Sequence, residues 1–195
     1  MSFFKKAFKK IRTKLGFLAA VILVLFSAES VPVRLLIPGL VLIVIGELIR
    51  LWSAGHLKKT KEITCSGPYK YTRNPLYIGS FFILIGFLIM LQNWIIAVVI
   101  FPLFLIIYPL TIKKEERHLL EKFGDDFQRY MESVPRIIPI LKAGEFSSED
   151  KFNFQLMLKN REYQGVLGAL GLTLILWFGL GYKLRMLLIK WIKNI

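Results

Sequence analysis

Apolar residues fill five runs of this chain, at 15–28, 33–52, 76–91, 94–112 and 164–182. A bilayer core asks for roughly 20 apolar residues per helical crossing, and a chain of 195 residues that is 55% apolar has more such surface than a soluble domain of its size can hide. The pattern therefore predicts an all-α fold, a polytopic transmembrane bundle of about five membrane helices with amphipathic interfacial helices beside them. The first run is short for a crossing.

Charge sorts between the runs rather than within them. The net charge of +14 would suit nucleic acid, but basic segments interleaved with membrane spans face anionic lipid, so membrane lipids are the expected partner and nucleic acid is not. Residues 1–14 place Phe3, Phe4, Ala7, Phe8 and Ile11 at helical spacing with lysines opposite, the pattern of an interfacial helix. Six Lys and Arg fall in that tail, five in the loop 53–74 and ten in the stretch 113–162. All three lie on one side if the first four runs cross, and the positive-inside rule makes that side cytoplasmic, at the inner membrane in a bacterium. Lys183, Arg185, Lys190 and Lys193 at the end are the misfit: either the fifth segment, 163–182, crosses, or it dips in and returns.

Gln92 and Asn93 form so short a turn that the third and fourth runs must make an antiparallel hairpin. Pro102 and Pro109 lie inside the fourth run. Residues 113–134 read as an amphipathic cytosolic helix broken at Gly124, with Leu119, Leu120, Phe123, Phe127 and Tyr130 as its apolar stripe. The domain plan is thus 1–14 interfacial helix, 15–139 membrane core, 140–162 linker, and 163–195 fifth helix with a basic tail. Gly165, Gly168 and Gly171 are spaced for tight helix packing. Glu47 and Arg50, three apart, suit a mutual ion pair or a site-facing role. One cysteine, Cys65, and two histidines, His56 and His118, are too few for a convincing zinc centre, so no metal is expected.

Two polar segments stand out, and the hairpin brings them to one membrane surface. The first, Ser66–Gly79, contains Gly67, Pro68, Tyr69, Tyr71, Arg73, Asn74, Pro75 and Tyr77. The second runs from the Glu115–Glu116 pair through Phe123, Gly124 and Tyr130 to Val134, Pro135, Arg136 and Pro139. Together they resemble the isoprenylcysteine carboxyl methyltransferase family and its phospholipid methyltransferase relatives, over about residues 46–139. That signature is Gly-Pro-Tyr, then Arg-His/Asn-Pro-x-Tyr-x-Gly, a Glu pair, Phe-Gly-x-x-Tyr-x-x-Tyr and Val-Pro-Arg-x-x-Pro. Asn74 stands where better-studied members have His, and Phe127 where the first Tyr of the Phe-Gly motif would be.

The resemblance implies an integral membrane methyltransferase that takes S-adenosylmethionine without a Rossmann domain. It acts on a lipophilic acceptor, for which a carboxylate is the leading expectation and a phospholipid or other amine the alternative. Arg73, Glu116 and Arg136 are the expected catalytic residues. Gly67, Tyr69, Tyr71, Arg73, Asn74, Pro75, Tyr77, Glu115 and Glu116 are the expected donor-binding set. The residue types suit that donor: its carboxylate wants a cation, its amine and ribose hydroxyls want carboxylates, and its sulfonium favours aromatic faces. Arg136 suits an acceptor carboxylate or phosphate. The same inventory leaves other readings open. Arg73 and Arg136 suit lipid phosphates, the tyrosines suit an interfacial belt, and a non-catalytic lipid-binding protein on this scaffold would carry both. A nicotinamide-dependent reductase is disfavoured, because Glu115 and Glu116 would repel an anionic cofactor.

Overall fold

The computed structural model describes residues 31–58, 62–143 and 145–193; the expected interfacial helix 1–14 and the first apolar run lie outside them. Among the described residues the chain is all-helical, with helices α1 (Val33–His56), α2 (Pro75–Leu91), α3 (Trp94–Phe123), α4 (Asp125–Ser133), α5 (Phe154–Asn160), α6 (Tyr163–Trp177) and α7 (Leu180–Lys193), and a 3-10 turn at Gly67–Lys70. Two of these, α1 and α3, are long and apolar enough to cross a bilayer, while α2 and α6 are apolar but shorter. Ile37, Leu48, Val98 and Ile106 stand more than half exposed along α1 and α3. Apolar side chains left facing water would forgo about 1.5–3 kcal/mol each, whereas in hydrocarbon they lose nothing. This is the surface of a membrane protein.

The core is a seam of glycines. α1 and α2 are antiparallel, and Gly39 meets Gly86 as Gly46 meets Gly79. A Cβ on Gly46 would lie 2.5 Å from the Gly79 carbonyl oxygen, and one on Gly86 would lie 2.5 Å from that of Gly39. Each pair is spaced by seven, two helical turns, so both fall on one stripe of their helix. The backbones touch there, and apolar side chains close over the contact: Leu36, Ile43, Phe87, Met90 and Leu91 are buried around it. Gly168 and Gly171, by contrast, face open space, and only Gly165 of that trio lies near another helix, beside Arg50 and Glu47. The tight packing expected of the three in α6 belongs instead to α1 and α2.

Turns are set by local chemistry. Gln92 takes a left-handed conformation at the end of α2, and the Asn93 side chain accepts from the Ile96 amide to start α3. α3 runs unbroken from Trp94 to Phe123, about 45 Å, so the change from apolar to charged residues near 112 is not a helix boundary. It ends at Gly124, whose φ of 54° suits glycine. α6 starts beside Arg50 and Glu47, near the end of α1. It then runs back along α1 until Leu176 is buried in the cluster with Val31, Leu36, Leu91 and Ile96. The apolar stretch does not continue to 182, because the helix breaks after Trp177 and Gly179, at φ 61°, redirects the chain into α7.

Residues 140–162, read as a linker, form a strap across the end of α1 and the loop that follows it. The Ser148 amide donates to Cys65 O, the Asn153 amide to Gly55 O, and Asn160 Nδ2 to the carbonyls of both Ala54 and Leu57. The Phe152 ring fills the space a side chain on Gly55 would need. Lys58 pairs with Asp150 at 3.1 Å and Lys70 with Glu149 at 2.5 Å.

These pairs make the strap pH-sensitive at both extremes. Hydrogen bonds from Lys58 and Ser148 hold the Asp150 carboxyl below its ordinary value near 3.8, so its contribution is present above that pH and lost as pH falls through the lowered value. Hydrogen bonds to Glu62 and Asp150 raise Lys58 above 10.5, so its contribution is present below that pH and lost as pH climbs through the raised value. Both groups are largely solvated, so Asp150→Asn should speed hydrogen exchange at the Asn153 amide at pH 7 by only roughly two- to fivefold. Unchanged exchange would show that the apolar anchor alone holds the strap.

Candidate active site

The site forms where the loop before α2 meets the charged C-terminal third of α3. Asn74 occupies the N-cap of α2, and Pro75 the first helical position, where its missing N–H costs nothing. An asparagine there ordinarily caps its own helix. Here its side chain makes no cap bond; Nδ2 donates to Arg136 O at 3.0 Å and to Glu116 Oε1 at 3.4 Å. The preceding residues are fixed by the chain after α4. The Arg73 amide donates to Pro135 O, Thr72 Oγ1 donates to Ile137 O, and the Ile140 amide donates to Tyr71 O. Tyr130, buried on α4, donates its hydroxyl to Tyr69 O.

At the centre lies Glu116, only 6% exposed. Its Oε1 is 3.3 Å from Arg73 Nε, and its Oε2 accepts from Arg136 Nε at 2.9 Å and Nη2 at 2.8 Å. The two arginines differ in setting. The Arg73 side chain is 10% exposed and that of Arg136 49%, so one guanidinium is internal and the other opens to solvent. Arg73 Nε, buried and close to Glu116, still makes no hydrogen bond. Burial lowers the Arg73 pKa, opposed by the charge of Glu116. One turn face away, Tyr77 donates to Glu115 Oε2 at 2.8 Å. The Tyr77 ring meets Tyr108 edge-on at 5.1 Å, and Tyr108 stacks on Phe104 at 3.7 Å.

Arg73, Asn74, Glu116 and Arg136 therefore converge, with Tyr77 and Glu115 beside them. Tyr69 is buried under α4, its hydroxyl without a partner, and burial raises its pKa so that it stays a neutral donor. Burial likewise raises Tyr130. Gly67, at φ 55°, is needed for His56: a Cβ there would run into that ring, whose Nδ1 lies 3.0 Å from Ser66 Oγ. Tyr71 is half-buried and contributes its carbonyl. Sequence reasoning missed Thr72 and Tyr108; the latter lies two turns before Glu115 on one stripe of α3, which periodicity could have shown.

A second charged cluster lies deeper, at the junction of α1, α2 and α6. Arg50 does not turn to Glu47; its Nη1 donates to Ser80 Oγ at 2.9 Å and its Nη2 to Glu162 Oε2 at 2.6 Å. Glu47 Oε2 and Arg50 Nε are buried without hydrogen-bond partners.

Residues 35–126 match the phospholipid methyltransferase family model, and human protein-S-isoprenylcysteine O-methyltransferase is 30% identical over 127 residues, 55% of this chain and 42% of that protein. The chain is similar to the isoprenylcysteine and phospholipid methyltransferases over about half of its length. Within that likeness, the nickel-cobalt-cadmium resistance protein NccN of Alcaligenes xylosoxydans xylosoxydans is 28% identical over 143 residues, 72% of this chain and 66% of that protein. The cobalt-zinc-cadmium resistance protein CzcN of Cupriavidus metallidurans is 26% identical over the same length, covering 72% and 65%. The chain thus spans just under two thirds of those two relatives and about two fifths of the human enzyme. No solved structure matches. The segment shared with the family model contains the glycine seam, the Arg73–Asn74 loop and Glu116, but neither Arg136 nor the strap.

Proposed function

We propose that this protein is an S-adenosylmethionine-dependent methyltransferase that works at the membrane surface on a lipophilic acceptor, most readily a carboxylate. The observation that carries the proposal is the buried Glu116 carboxylate held between an internal and an external arginine. When bound, the donor supplies an electrophilic methyl group on a sulfonium. The residues present fit such a ligand. Arg73 Nε and Tyr69 OH are buried donors without acceptors, complementary to carboxylate or hydroxyl oxygens. The charges of Arg73, Arg136, Glu115 and Glu116 cancel, so a ligand carrying one carboxylate and one ammonium exchanges ion-pair partners without leaving a net charge behind. The Tyr77–Tyr108 faces suit a cation.

The chain's own work is binding and alignment. Arg73 and Glu116 would hold the donor's amino-acid end, Asn74 would fix Glu116 in its rotamer, and Tyr77 would orient Glu115 toward a hydroxyl. The open side of Arg136 would grip the acceptor carboxylate, and the apolar walls exclude water. Five crossings, counting the run at 15–28 with α1, α2, α3 and α6, and a cytoplasmic site beside the most basic segments, complete the reading. Transfer to a phospholipid amine is the second reading, supported by the family-model match and by the exposed Glu115 as a proton acceptor.

Purified protein in detergent should bind S-adenosylhomocysteine saturably at one site. Arg73→Ala should weaken that binding about 10- to 100-fold, the worth of a lost charged hydrogen bond. Absence of saturable binding would overturn the proposal, and mass spectrometry of membrane extracts incubated with isotope-labelled donor would separate methyl esters from methylated amines.

A further inference from the structure

We infer that α7 is a docking surface for anionic lipid, lying in the plane of the membrane face opposite the Arg73–Glu116 site. The position follows from α6, whose N-cap Glu162 pairs with Arg50 near the site and whose last turn packs Leu176 at the other end of α1. Its 15 residues span about 22 Å, short of the roughly 30 Å hydrocarbon layer. The break at Gly179 thus falls near the far boundary of that layer. α7 has 14 residues, too few to cross again, and the sequence 180–193 holds Lys183, Arg185, Lys190 and Lys193 with no acidic residue.

The described residues leave the apolar side chains of this helix open. Leu187, Trp191 and Ile192 are 64%, 65% and 64% exposed, and Met186, Leu188 and Ile189 are also open. On a helical projection Leu187, Leu188 and Trp191 share one stripe, while Lys183, Lys190 and Lys193 lie off it. An apolar stripe flanked by cations is the pattern of a helix sunk at the headgroup boundary. Four cations hanging free on the far side would oppose the positive-inside bias. Set among anionic headgroups they are compensated, each strengthening adsorption about fivefold.

Two measurements test this, neither depending on methyl transfer. The first is the phosphatidylglycerol retained by the full chain, extracted from phosphatidylglycerol-containing liposomes and analysed by native mass spectrometry. The variant K183Q/R185Q/K190Q/K193Q should retain at least tenfold less than the unaltered chain, while the unfolding midpoints of the two agree. K190Q/K193Q, a milder change, should lie between them. The second is sidedness in a Cys65→Ser background, where an impermeant thiol reagent should label Lys190→Cys from the side opposite to Lys142→Cys in sealed vesicles. Equal lipid retention by all three proteins, or labelling of both cysteines from one side, overturns the inference. So does a concentration-dependent dimer abolished by Trp191→Ala, which would give the face to a second copy.

Discussion

Glu116→Ala lowers the free energy of unfolding in detergent by about 3–5 kcal/mol and removes S-adenosylhomocysteine binding. The loss is large because the substitution strands Arg73, whose side chain is 10% exposed beside Glu116, as an uncompensated internal cation. Arg136→Ala should cost far less, about 1 kcal/mol, since half of that side chain already meets solvent. The paired change Arg73→Met with Glu116→Leu separates stability from chemistry. Replacing a buried ion pair by packed apolar groups of similar volume is often neutral, so the double variant should recover most of the stability and none of the ligand binding. Should Glu116→Ala unfold at the wild-type denaturant concentration, the ion triad is not assembled and the site falls with it.

Gly46→Leu destabilises the protein by about 3 kcal/mol or more, at the upper end for overpacking. The first atom added would lie 2.5 Å from the Gly79 carbonyl oxygen, so α1 and α2 must part before any side chain can repack. Parting them also shifts Ser80 away from Arg50 and moves the N-terminus of α2, with Asn74, out of register with Glu116. Unfolding by sodium dodecyl sulfate titrated into mild detergent reads the loss directly. Gly168→Leu is the internal control, because nothing lies within 4 Å of a Cβ there and its effect should stay within about 0.5 kcal/mol. Equal effects at Gly46 and Gly168 would remove the seam as the organiser of the bundle.

What the sequence reveals and conceals follows the range of each interaction. Apolar runs are local sums, so α1, α2 and the apolar part of α3 were readable close to their starts. The end of α1 was read short because Ser53, Ala54, Gly55 and His56 are not strongly apolar; they are buried by the strap, a tertiary effect. Arg73, Asn74, Glu116 and Arg136 were legible through motif resemblance, and the hairpin turn explained why they should meet. The glycine seam was missed because neither helix alone names its partner. Gly39 and Gly46 acquire meaning only once Gly79 and Gly86 lie opposite. The glycines of α6 have closer spacing and a more familiar look, yet two of the three face open space. The strap carries no periodicity at all. It is held by single hydrogen bonds, such as Asn160 to Ala54 across 106 residues.

That last bond orders events during biosynthesis. The terminal carbonyls of α1 are among the orphan groups every helix leaves at its end, and Ala54 and Leu57 receive their amide donor from Asn160. Chains emerge amino end first, so both methyltransferase-like motifs are made before the residue that closes the helix preceding them. A nascent chain halted between Pro139 and Asn160 would hold every residue of the Arg73–Glu116–Arg136 cluster while the loop leading to it lacked its final clasp.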